Sequence, residues 1–195
     1  MTRLIIHADD VGMCHGANTA FVELSHHGTI TSGSVMVPCP WFPEMARIAA
    51  EDDRLDLGVH LTLNSEWEHY RWAPVAGRDS VPSLCASDGR LLRASLETLQ
   101  HAEPDEVETE LRAQIETALE AGVDVTHIDS HMGTVFLPPF LEIYAKLARE
   151  FQRPAFRTRP AVSQVEGEMA DGLKRIHSLC DELAAEGFGV MDSFD

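Results

Sequence analysis

Residues 55–64 read LDLGVHLTLN, and this stretch decides the fold class. Leu55, Leu57, Val59, Leu61 and Leu63 alternate with Asp56, Gly58, His60, Thr62 and Asn64, the period of a β-strand with two unlike faces. Toward the C-terminus, EPDEVETELRAQIETALEAG over residues 103–122 has a helical period instead. Pro104 suits a first turn, acids crowd the N-terminal end, Val107, Leu111, Ile115 and Leu119 recur every four residues, and Gly122 closes the helix. VTHIDSH, residues 125–131, is then the next strand. In the other direction RLIIHA (3–8) reads as a first strand, DDVGMCHG (9–16) as a turn, 17–27 as a helix, TITSGSVMVP (29–38) as a second strand and 42–52 as a second helix. Beyond 131, a helix over 138–151, a strand at PAFRTRP (154–160), a helix over 169–186 and a strand at GFGVMD (187–192) complete the alternation. Residues 65–93 are irregular, a length that in small domains marks a functional or mobile loop.

Strands alternating with helices imply an α/β fold with a mostly parallel sheet, open or closed into a barrel. Six strand candidates fall short of the eight in a full (β/α)₈ barrel of about 250 residues. The expectation is therefore one domain over residues 1–195.

The chain has 195 residues, 44% of them hydrophobic and 24% charged, as in ordinary globular proteins. No stretch approaches the roughly 18 apolar residues that span a bilayer, and the apolar run in MTRLIIHADD is too short for a signal peptide. A net charge of −17 argues against nucleic acid or an anionic membrane as partner, since both demand a basic patch. Cys14, Cys39, Cys85 and Cys180 have no CxxC spacing and read as reduced thiols of a cytoplasmic protein.

In parallel α/β folds, active sites gather at the carboxyl ends of strands. Ionisable residues fall there repeatedly: Asp9 and Asp10 at the end of the first strand, His60 late in the third, His127, Asp129 and His131 at the end of the fourth, Arg157 late in the fifth. In an extended segment 127, 129 and 131 share one side, with Ile128 on the other. A carboxylate and two imidazoles suffice to hold a catalytic divalent cation with positions left open, and Asp10, His60 and His131 are the ligands expected here. Asp9 is the candidate general base, and His127 the candidate acid for a leaving group. Asp129 and Arg157 are supporting groups, Arg157 through bidentate grip on a carboxylate. Trp67, Tyr70 and Trp72 are candidates for stacking on a sugar face, or alternatively a plug for their loop.

HADDVG after the first strand, GVHLTL and THIDSH resemble, in this order over residues 1–160, the motifs of the YdjC-like carbohydrate deacetylase family. The resemblance implies a distorted (β/α) barrel of the TIM-barrel type, a divalent metal (Mg²⁺ or Zn²⁺) on Asp10, His60 and His131, Asp9 as base, and removal of an N-acetyl group from an amino sugar or short oligosaccharide. It also implies an N-acetylated carbohydrate as partner; homo-oligomerisation stays open. Two departures stand out. HMGTVF follows the metal histidine where chitooligosaccharide deacetylases carry further histidines, so Gly133 and Val135 stand in their place. The chain ends at MDSFD where family members continue, so the expectation is a fragment, an incomplete barrel lacking C-terminal strands and helices, or a chain that relies on a partner. Three other readings of the same ligands remain: a non-catalytic sugar-binding homologue, a metal-dependent phosphoesterase and an Fe(II) oxygenase.

Overall fold

The computed structural model describes residues 4–155 and 168–188. The chain runs β1 (His7–Val11), α1 (His15–His26), β2 (Ser32–Val35), α2 (Phe42–Glu51), β3 (Leu57–Leu61), α3 (Ser95–His101), α4 (Pro104–Glu120), β4 (Val125–Ser130), α5 (Phe140–Phe151) and α6 (Glu168–Ala185). Among the described residues four strands form one open parallel sheet in the order β1-β2-β3-β4. Each strand pairs with the next in sequence through crossovers that contain helices.

β3 is central and buried along its whole length. Leu55, Leu57, Val59, Leu61 and Leu63 pack among Val107, Leu111 and Ile115 of α4 and Tyr144 and Leu147 of α5 in the core. The polar side of the alternation is enclosed too: His60, Thr62 and Asn64 are all buried. The two faces of LDLGVHLTLN therefore separate a helix-covered layer from a polar interior, not a core from solvent. Gly122, at φ +85°, closes α4 in the left-handed region where a side chain would be strained.

Three expectations are corrected. Among the described residues the first strand begins at His7: Leu4, Ile5 and Ile6 are exposed and outside the sheet ladder, which starts with His7 opposite Ser32. Asp9 and Asp10 consequently lie inside β1 and not in the turn after it. The 65–93 segment holds a short 3-10 helix, Pro82–Leu84, and a bridge between Cys85 and Leu91, and it encloses Val81, Leu84 and Leu91; α3 after it had no counterpart in the sequence reading. Of the fifth strand candidate only its start is described, where Ala155 bridges to Ile128 in parallel and Pro154 accepts from the Ile128 amide. Arg157 and most of GFGVMD lie outside the described residues. No described helix is long and apolar enough to cross a membrane.

Candidate metal centre

A regular strand cannot turn two successive side chains to one face. β1 does so through a bulge. Between the pairs Ala8–Gly33 and Val11–Val35 it holds one residue more than β2, and Asp10 takes φ +59°. Aspartate is among the few non-glycine residues that enter this region readily, and bulges recur where a side chain must be re-aimed beside a functional site. Both carboxylates thereby meet interior histidines: Asp9 Oδ1 lies 3.4 Å from His7 Nε2, and Asp10 Oδ1 lies 3.4 Å from His60 Nε2 and 3.1 Å from His131 Nδ1.

His60 projects from β3, and His131 from the first residue of a 3-10 turn directly after β4. Their rings meet edge to face with centroids 5.4 Å apart. Beneath them Asp129, 3% exposed, accepts from His60 Nδ1 at 2.7 Å, from Ser34 Oγ at 2.7 Å and from His7 Nε2 at 3.1 Å. His7 Nδ1 in turn reaches Ser32 Oγ at 2.7 Å. The second nitrogen of His131 lies 3.0 Å from Glu66 Oε2, on the segment after β3.

Charge is concentrated here. The bonds to His131 and His60 hold the Asp10 carboxyl well below the usual carboxylate range. Burial alone would raise Asp129, but the charge of His60 and the hydrogen bonds from His60 and His7 outweigh it and hold the group low. Burial likewise opposes a charge on His60, and Asp129 beside it, with the bonds to Asp10 and Asp129, raises its affinity for a proton. Burial pushes the nearby Cys39 thiol up, reinforced by the charges of Asp10 and Glu66, so it stays a thiol.

The residues fit a divalent cation. Asp10, His60 and His131 each offer a donor atom within 4.8 Å of the other two. The outer nitrogen of His60 is bonded to a buried carboxylate, so that when the ring is neutral, as a cation ligand must be, its hydrogen is fixed there and the Nε2 lone pair faces Asp10. Two other sets, His7/His127/Asp129 and Asp9/His60/Asp129, also converge, but both depend on Asp129 oxygens already committed to Ser34, His7 and His60.

His127 takes a different position. β4 carries a bulge opposite the stretch from Leu57 to Val59, and there the His127 ring crosses Gly58: a Cβ on Gly58 would lie 2.5 Å from its Nε2. Gly58 precedes His60 by one interior position, so His127 sits a layer nearer the amino ends of the strands, against the His7 ring and Thr126 Oγ1. Its Nε2 has no hydrogen-bond partner, and burial lowers its proton affinity. Of the three aromatics, Trp67 is exposed (53%) and Tyr70 is at the surface with its hydroxyl on the Met13 carbonyl. Trp72 is a core residue: it is 1% exposed, its Nε1 donates to the Asn64 carbonyl at 2.8 Å, and its edge packs on His131. The sequence reading missed Glu66 and Ser34. Only Glu66 left a signal, an acid two residues after the polar end of LDLGVHLTLN.

Residues 3–191 match the family model described as YdjC-like protein. A carbohydrate deacetylase of Brevibacillus brevis is 35% identical over 191 residues, 95% of this chain and 73% of that protein. One from Thermus thermophilus is 37% identical over 150 residues, 76% of this chain and 51% of its own length. A solved structure from Enterococcus faecalis V583, of a protein named for cellobiose-phosphate cleavage, superposes with a TM-score of 0.74 at 29% identity, covering 90% of this chain and 64% of that one. The chain thus spans between half and three quarters of these relatives.

Proposed function

The chain belongs to the YdjC-like family, and from that premise and the geometry of its centre we propose that it is a divalent-cation-dependent hydrolase that removes an acetyl group from an N-acetylated amino sugar or short oligosaccharide. The observation that carries this reading is the meeting of Asp10, His60 and His131 on one carboxylate oxygen, with a second carboxylate, Asp9, alongside. A bound cation, Mg²⁺ or Zn²⁺, supplies the positive charge that polarises an acetamide carbonyl and acidifies a neighbouring water. Asp10, His60 and His131 would hold it. Asp129 keeps the His60 ring in place, and the buried Ser34 and His7 keep Asp129 in place.

Asp9, half exposed beside this cluster, takes a proton from the attacking water as its oxygen bonds to the carbonyl carbon. The C–N bond then breaks, and the proton returns from Asp9 to the departing amine, leaving acetate and a free amino sugar. His127 lies a layer deeper, against His7 and Gly58, so this reading gives it no direct contact with the amine. Exposed Trp67 and Tyr70 offer flat faces for a sugar ring. The names of the relatives and of the Enterococcus protein also point to carbohydrate. A cytoplasmic setting agrees with the four cysteines, which form no disulfide among the described residues.

The test is an acetate-release screen over N-acetylated mono- and oligosaccharides, run as purified, after chelation, and after adding back Mg²⁺ or Zn²⁺. Acetate should appear with an equal amount of free amine, vanish with chelator and return with one of the cations. Release that is undiminished in excess chelator, or absent from every substrate with cation present, would sink the proposal.

A further inference from the structure

Each imidazole of the centre has one nitrogen toward Asp10 and the other on a separate carboxylate. For His60 the outer partner is Asp129, delivered by the neighbouring strand at 2.7 Å. For His131 it is Glu66, at 3.0 Å from Nε2, while Nδ1 lies 3.1 Å from Asp10 Oδ1. A neutral imidazole carries one hydrogen. If Nδ1 is to present a lone pair between Asp10 and His60, that hydrogen must be on Nε2, where only an acceptor stabilises it, and Glu66 is the acceptor there.

The backbone that delivers Glu66 is anchored on both sides. Asn64 Nδ2 donates to Thr98 Oγ1 at 2.8 Å, and Asn64 Oδ1 accepts from Thr134 Oγ1 at 2.5 Å. The Ser65 amide donates to the Leu92 carbonyl at 2.9 Å, and Ser65 Oγ accepts from the Trp72 amide at 2.9 Å. Arg93 clamps the Glu66 carbonyl itself, through Nη2 at 3.1 Å and Nε at 3.3 Å. Thr134 belongs to the same 3-10 turn that starts at His131, so one network fixes both the carboxylate and the ring it meets.

We propose that Glu66 is a positioning residue of the centre: it accepts the Nε2 hydrogen of His131 and so holds the Nδ1 lone pair toward the space shared with Asp10 and His60. This rests on the cation-binding reading above and extends it to a residue outside the three sequence motifs. Carboxylates that orient ligating histidines in this way are worth about 10–100-fold in metal affinity.

The experiment is a Co²⁺ titration of the full chain, followed by visible absorption, for wild type, Glu66→Gln, Glu66→Ala and His131→Ala, with the melting temperature of each chain measured free of metal. Glutamine keeps an acceptor oxygen but not the charge, so affinity should fall in the order wild type, Glu66→Gln, Glu66→Ala, the last by 10–100-fold. Metal-free melting should be unchanged by Glu66→Gln, which separates positioning from a merely structural role. Wild-type affinity in Glu66→Ala, with binding lost in His131→Ala, would overturn the role of Glu66 and leave the centre standing. Absence of Co²⁺ binding by the wild-type chain would instead overturn the cation reading, and this inference with it.

Discussion

Two buried carboxylates occupy neighbouring parts of the molecule and behave in opposite ways. Asp129, under the centre, has ionisable partners in His60 and His7, and they hold its carboxyl low. Glu110, on α4, has only neutral ones: the Val75 and Ala76 amides at 2.9 Å and Gln114 Nε2 at 2.7 Å. Burial therefore dominates and pushes its carboxyl up. Gln114 closes that second network by bonding both ways with the Thr62 backbone. The Glu110 network is complete, and it latches the 65–93 segment to α4. The Asp129 network stays open at its rim, where two imidazoles and two aspartates crowd together. Burial of charge alone thus does not single out a candidate site; crowding of unlike ionisable groups around a shared oxygen does.

Asp129→Ala should have the largest effect on this contrast, because it strands buried partners of an ionic cluster. A loss of about 3–5 kcal/mol in denaturant unfolding is expected, together with cation affinity about 10–100-fold weaker by titration. Gly58→Ala comes next: its Cβ would fall 2.5 Å from the His127 ring and 2.6 Å from the His127 carbonyl, an overpacking worth about 1–3 kcal/mol beneath the centre. Glu110→Ala leaves two backbone amides without their acceptor and should cost about 1–3 kcal/mol, while cation affinity, measured in the same titration, stays at the wild-type value.

The smallest effect is a pH dependence. The folded-state pKa of Glu110 is raised, so the stability tied to its protonated form is complete below the ordinary glutamate pKa and is lost as pH rises through the folded value. Glu110→Gln should flatten that decline in unfolding free energy measured from acid toward neutral pH. Asp129 works in the opposite sense: its folded pKa is lowered, so its contribution is present above the ordinary aspartate range and disappears as pH falls through the folded value. A Glu110→Gln profile that overlays the wild type would contradict the contrast.

Much of this was legible in the residues, because hydrophobic period is a local property. The alternation in LDLGVHLTLN and the four-residue repeat in α4 placed the strands and helices of the parallel sheet, and the polar residues at strand ends included Asp10, His60 and His131, which the fold brings together. What escaped depends on distant contacts. RLII has the composition of a strand, but its neighbours among the described residues leave Leu4 79% exposed. The bulge that turns Asp9 and Asp10 inward together costs little at an aspartate, so nothing in the dipeptide announces it. Trp67 and Trp72 are five residues apart in one irregular segment, and only the Asn64 carbonyl and the His131 ring decide that the second is core. Glu66 likewise gains meaning only from a histidine 65 residues away.

The central claim is that Asp10, His60 and His131 form one cation centre. Equilibrium dialysis of Zn²⁺ against wild type, His60→Ala and Glu110→Ala tests it most directly. One tightly held ion per chain is expected in the wild type and in Glu110→Ala and none in His60→Ala; equal retention by wild type and His60→Ala would overturn the centre.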